Sequence, residues 1–289
     1  MKEKKLWLVY ALITVVFWGV WGAFTEISEK AGFPGTLIYV VWSVTMIIPA
    51  LIAMKRIGWK PETDKKSVFY GVIIGLLGAG GQLALFTGAI VNGPAYLIFP
   101  IISLSPVITV LLSVLLLKEK ASARGWAGIA LAILAIPGLS YQEPDSEVHG
   151  LLWLIWALVV FVAWGAQAYF MKLANNKMKA ESIFLYMTLT ALLLSPVALL
   201  MTDWNIPVNW GLKGPWLAFG IQLLNSIGAL TIVYAFRYGK AIIVSPLTNA
   251  VAPIITILLS LMIYAVIPHP IVLAGMALAV IAIFLFAKE

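Results

Sequence analysis

Residues 7–24 of this chain recur at 153–170, and that echo limits the possible folds more than any other feature. Trp7, Ala11, Leu12, Trp18, Gly19 and Phe24 meet Trp153, Ala157, Leu158, Trp164, Gly165 and Phe170, each 146 positions on. Tyr39, Pro49 and Met54 meet Tyr186, Pro196 and Met201 at an offset of 147, and Gly93 and Pro100 meet Gly239 and Pro246 at 146. Pro106, Thr109, Ser113, Gly128, Ala130 and Ala132 meet Pro253, Thr256, Ser260, Gly275, Ala277 and Ala279, again at 147. A slip of one residue over most of the chain marks a duplicated unit, with copies at 1–145 and 146–289.

Composition says where such a duplicate can fold. Hydrophobic residues make up 62% and charged residues 11%, against about 45–50% and about 25% in soluble domains. A bilayer solvates that much apolar surface, and a crossing helix needs about 20 apolar residues. The apolar runs predict ten spans, near 6–27, 34–54, 67–90, 94–117, 123–140, 150–172, 180–201, 215–236, 241–266 and 269–287. The start, Met-Lys-Glu-Lys-Lys before an apolar run, mimics a signal peptide. The run is too long for that and has a repeat partner, so it reads as a first transmembrane helix.

Ten spans divide into five and five. An odd number of crossings per copy inverts the second copy in the membrane. The cations agree with this threading. Of the 19 Lys and Arg, 17 fall on one side, and only Lys30 and Lys213 fall on the other. The side that collects them is the cytoplasmic one, which puts both termini inside and the chain in an inner membrane. The net charge of +7 is then a topology signal and calls for no nucleic-acid partner.

Candidate site residues are polar groups inside spans. Pro100 and Pro106 in span 4 and Pro246 and Pro253 in span 9 bracket Ser103 and Ser105, and Thr248 and Asn249. A mid-helix proline frees a carbonyl and bends the helix, so Pro100 and Pro246 are candidate hinges, or kinks needed for packing alone. Trp18, Trp21 and Thr25 share one face of span 1, and Trp164 and Gln167 occupy matching positions in span 6. Gln82, Gln167, Asn225 and Asn249 put amides on four spans. A buried amide needs a partner, which is either a neighbouring helix or the contents of a shared cavity. Trp7, Trp59, Trp153, Trp204 and Trp210 read as interfacial belt residues. Gly71, Gly75 and Ala79 form a stripe for close helix approach, and Gly275 and Ala279 form another that suits a homodimer or internal packing.

Ionisable groups are scarce inside the spans. Glu26 at the outer end of span 1 and Glu119 at the inner end of span 4 are candidates for coupling or gating, or plain solvated charges at helix ends. The chain has no cysteine, and its histidines, His149 and His269, sit in turns. No nucleophile–base arrangement, metal-ligand spacing or cofactor motif appears.

The segment Pro106-Val107-Ile108-Thr109, then Leu116-Leu117-Lys118-Glu119-Lys120, then Gly125-Trp126-Ala127-Gly128, resembles the EamA repeat of the drug/metabolite transporter superfamily. Trp18-Gly19 is similar to that repeat's first helix. One departure is that the second copy has Val266 where the first has Glu119. The resemblance implies transport of small organic solutes, often outward, through a central cavity between the halves.

Together these readings predict an all-α polytopic protein of ten transmembrane helices in two inverted five-helix repeats. It would be a transporter, not an enzyme, moving a neutral or zwitterionic solute by alternating access. Trp18, Trp21, Gln82, Tyr96, Gln167, Asn225 and Asn249 are the expected cavity lining. A passive channel and a membrane-embedded lipid-handling enzyme are the competing readings.

Overall fold

The structure is a computed structural model. It describes residues 6–117, 122–139, 141, 150–239, 241–265 and 267–286, apart from some side chains within helices. Among these residues the chain is all-helical. We label the helical segments α1 Leu6–Lys30, α2 Gly35–Arg56, α3 Lys65–Asn92, α4 Ala95–Leu117 and α5 Ala123–Leu139. After residue 150 come α6 Leu152–Ala174, α7 Ala180–Leu200, α8 Leu212–Tyr238, α9 Ala241–Tyr264 and α10 Pro270–Phe286. Seven of them, α1–α4 and α6–α8, are long and apolar enough to cross a membrane, and shorter apolar stretches lie in α5, α9 and α10.

Slips in the echo coincide with irregular turns. The first copy carries one residue more than the second between Met54 and Gly93. In that interval α3 contains a π turn, Leu85–Ala89. Its i→i+5 bonding takes up an extra residue without ending the helix. Between Pro100 and Pro106 the first copy is one residue shorter. There α4 breaks into Ala95–Ile102 and Pro106–Leu117, joined by a turn at 103–105. Pro106 opens the second piece, where its missing N–H does no harm. The matching α9 runs unbroken from Ala241 to Tyr264.

Packing pairs the positions that the echo pairs. Helix α1 packs on α8 and α9, and α6 packs on α3 and α4. A Cβ placed on Gly228 of α8 would lie 2.5 Å from Trp18 Cδ1 of α1, and one on Gly81 of α3 would lie 2.5 Å from Trp164 Nε1 of α6. One on Gly239 would meet Trp7 Cβ at 2.9 Å, and one on Gly93 would meet Trp153 Cβ at 2.8 Å. Only a residue without a side chain leaves room for an indole at these crossings. The polar ties repeat as well. The Thr256 hydroxyl donates to the Gly19 carbonyl at 3.0 Å, and the Thr109 hydroxyl donates to the Gly165 carbonyl at 2.8 Å.

Trp153 is therefore no belt residue. It is fully buried, because Gly93 opens a slot for its ring. Trp59, Trp204 and Trp210 are exposed. The stripe on α3 works as expected, since Gly71 admits Tyr186 and Gly75 admits Thr190 of α7. Gly275 packs on Gly138 and Leu139 of α5, so this position is occupied within the chain.

Candidate functional site

The packing leaves a cavity of about 120 Å³ at the centre of the helices. Trp18 and Trp21 of α1, Gln82 of α3, Gln167 of α6, Asn225 of α8 and Asn249 of α9 all line it. Tyr96 is not among the lining residues, and its ring packs against the hydrophobic core. Trp42 and Met46 of α2, Trp164 and Met171 of α6 and Met187 of α7 complete much of the wall. Ser105, in the turn that breaks α4, and Thr248 of α9 add hydroxyls. Among the described residues lining it there is no Asp, Glu, His, Lys or Arg.

Hydrogen bonds fix most of the indoles. Trp18 Nε1 donates to the Asn225 carbonyl at 3.3 Å, and Trp164 Nε1 donates to the Gly78 carbonyl at 3.4 Å. Trp21 Nε1 donates to Gln222 Oε1 at 3.1 Å, and Trp21 sits edge-on to Phe99 at 5.3 Å. Those contacts lie toward the end of the bundle that holds Lys30, away from most of the basic residues. On that side the Glu26 carboxylate accepts the Ala95 backbone N–H at the start of α4 and pairs with Lys30 at 2.6 Å. Glu26 thus caps a helix N-terminus, where a negative charge is favoured, and lines no part of the cavity. Toward the other end the lining reaches Met171 and Phe236, each next in sequence to a cation, Lys172 and Arg237.

Two loop ties flank the site at opposite ends. At the basic end the Glu62 carboxylate accepts the Ser182 hydroxyl and, at 3.2 Å, the Lys179 backbone N–H, with Lys179 Nζ at 3.6 Å. Burial alone would raise the pKa of Glu62, but the hydrogen bonds from Ser182 and Lys179, with the charge of Lys179, hold it below the usual carboxylate value. At the other end Asn209, the echo of Glu62, donates its backbone N–H to the Gly32 carbonyl at 2.9 Å and its side-chain amide to the Ala31 carbonyl at 2.8 Å. Each loop holds the partner copy where its first helix turns into its second.

Pro100 lies inside the first piece of α4, and the break follows it at 103–105. The backbone of α9 is helical through position 246, but the Pro246 side chain lies outside the described residues, as does Glu119 altogether. Sequence reasoning missed Trp42, Met46, Met171 and Met187. Trp42 is echoed by Leu189, so comparing the copies gives no sign of it. No cluster of three or more metal-ligating side chains forms among the described residues.

Apolar helices around a cavity without charged side chains among its described lining residues define a polytopic membrane protein. The sequence matches the EamA-like transporter family over residues 5–141 and 151–288, and the chain belongs to that family. An uncharacterized protein of Methanocaldococcus jannaschii is 34% identical over 137 residues, which is 47% of this chain and 97% of that protein. A solved crystal structure, described only as that of a protein, has the same fold. Its TM-score is 0.67 at 18% identity, over 96% of this chain and 94% of that one.

Proposed function

We propose that this chain is a secondary transporter carrying a small organic solute across an inner membrane by alternating access, with both termini cytoplasmic. The observation that carries the reading is the central cavity, walled by indoles and amides from α1, α3, α6, α8 and α9. A wall without charge suits a neutral or zwitterionic solute, because an ion there would be desolvated without a counter-ion.

We further propose ten crossings in two inverted halves, 1–145 and 146–289. The reciprocal contacts of Trp18 with Gly228 and of Trp164 with Gly81 support a two-fold axis in the membrane plane. The archaeal relative, nearly all of which matches less than half of this chain, fits a unit of one half. With Trp21, Gln222 and Phe99 packed at one end and the lining reaching Phe236 at the basic end, the structure fits the inward-facing stage of the cycle. Glu62 and Asn209, both bonded in this structure, would hold each copy's loop to the other copy as the halves rock.

Transport by purified protein in proteoliposomes, over a panel of amino acids and related metabolites, tests this. The reading requires saturable uptake accelerated by unlabelled solute on the far side. Gln82→Leu and Asn249→Leu should each depress it. Normal transport of every tested solute by both folded variants would overturn the site, and unsaturable flux would favour a channel.

A further inference from the structure

A groove lies on the outside of α3, away from the central cavity, lined by Thr63, Lys65, Val68, Phe69, Val72 and Ile73. Helix α3 packs on α7 through Gly71 and Gly75 and on α6 through Gly78 and Gly81. Lys65, Phe69, Val72 and Leu76 follow the spacing i, i+4, i+7, i+11 and share a different face. Of these, Lys65, Phe69 and Leu76 are exposed. At 1.5 Å per residue the stretch runs about 16 Å, which matches one leaflet of a hydrocarbon core about 30 Å thick. Its polar side chains, a hydroxyl and an ammonium, are confined to the end that holds most of the basic residues.

The acids at that end are already engaged. Glu62 is bound to Ser182 and Lys179, and Asp64 caps α3 by accepting the backbone N–H groups of Lys66 and Ser67, each at 3.2 Å. Lys65 and Lys66 are exposed and make no ion pair among the described residues. The second copy supplies a contrast on the opposite side. There Leu212 stands where Lys65 does, Trp216 where Phe69 does and Gly220 where Ile73 does. The groove that runs along Trp216 and Gly220 has no charged or hydroxyl-bearing side chain among its described lining residues.

We infer that the groove on α3 holds an anionic glycerophospholipid of the cytoplasmic leaflet, its phosphate at Lys65 and Thr63 and an acyl chain along Phe69, Val72, Ile73 and Leu76. The site uses the threading proposed above and is independent of any transported solute. An ammonium at the membrane surface attracts an anionic headgroup, while its methylene stem lies along apolar surface. The Thr63 hydroxyl can donate to a phosphate oxygen. A zwitterionic headgroup brings its own ammonium beside Lys65, so the groove selects a lipid of net negative charge.

Native mass spectrometry of the full-length protein in detergent, titrated with dioleoylphosphatidylglycerol or dioleoylphosphatidylcholine, reads the affinity of the first lipid bound. Phosphatidylglycerol should bind at least about fivefold more tightly, the worth of one lysine near an anionic headgroup. Lys65→Gln should remove that margin and leave phosphatidylcholine binding unchanged, and Lys65→Glu should reverse the preference. Lys55→Gln removes one charge from an exposed position on the same side outside the groove and should keep the margin. Val72→Trp fills the apolar half and should weaken both lipids. Equal affinity of the two lipids overturns the site. Equal losses from Lys55→Gln and Lys65→Gln also overturn it, because net charge then explains the preference. Binding unaffected by Val72→Trp, or displacement of phosphatidylglycerol by soluble glycerol 3-phosphate, overturns the lipid assignment, because a headgroup alone then suffices. No flux is measured, so each of these outcomes leaves the transporter reading in place.

Discussion

Gly81→Ala tests the reciprocal packing of the two copies most directly. The new Cβ would stand 2.5 Å from Trp164 Nε1 and 2.7 Å from Cδ1, where ordinary contact is 3.4–4 Å. The indole must therefore withdraw by roughly 1 Å, and its hydrogen bond to the Gly78 carbonyl, already 3.4 Å, breaks. Overpacking costs about 1–3 kcal/mol, and a lost hydrogen bond adds about 1 kcal/mol. Alanine's better helix propensity returns about 1 kcal/mol, so the net destabilisation should be about 1–3 kcal/mol. The sharper quantity is the coupling to Trp164. Once Trp164→Ala has emptied the slot, Gly81→Ala should cost nothing or stabilise, giving a coupling of about 2–4 kcal/mol, well above the error of about 0.5 kcal/mol for independent sites. Gly228→Ala should couple to Trp18→Ala by a similar amount, since that Cβ would also lie 2.5 Å from the indole. The crossed pair Gly81→Ala with Trp18→Ala should be additive. Unfolding in mixed detergent micelles, followed by circular dichroism because tryptophans are being removed, measures all three cycles. Additivity of the matched pairs would refute the claim that these glycines exist to seat the opposing indoles.

Thr109→Val and Thr256→Val each delete one tie between copies and should each cost about 1 kcal/mol in the same assay. Glu62 titrates below the usual carboxylate range, so its tie is fully present above the unfolded value of about 4.3 and is lost as pH falls through the lowered folded value. Glu62→Gln should remove that acid-dependent loss of thermal stability while lowering stability at pH 7, whereas Asn209→Asp should not reproduce it. Because the chain has no cysteine, Lys60→Cys and Asn205→Cys are unique labels on exposed positions. An impermeant maleimide should reach Asn205→Cys in intact cells and Lys60→Cys only after permeabilisation. Labelling of both from one side would exclude the proposed threading.

The sequence by itself determined the family resemblance, the helical membrane class and the spacing of the duplicated positions. Apolar length, cation placement and repeat offset are local properties, written in the order of residues. Six of the seven expected lining residues share one cavity because in-span amides and tryptophans have few other places to be satisfied. Tertiary structure decided the rest. Trp153 reads as interfacial from its place near a helix end, yet is buried by a slot that Gly93 opens from another helix. Glu26 reads as a coupling carboxylate, yet caps α4, whose N-terminus reaches it only through folding. Trp42 is unmarked in the echo, and its place in the cavity wall comes only from packing. Such assignments depend on which groups meet across the bundle. No run of residues records that until ten helical segments have packed.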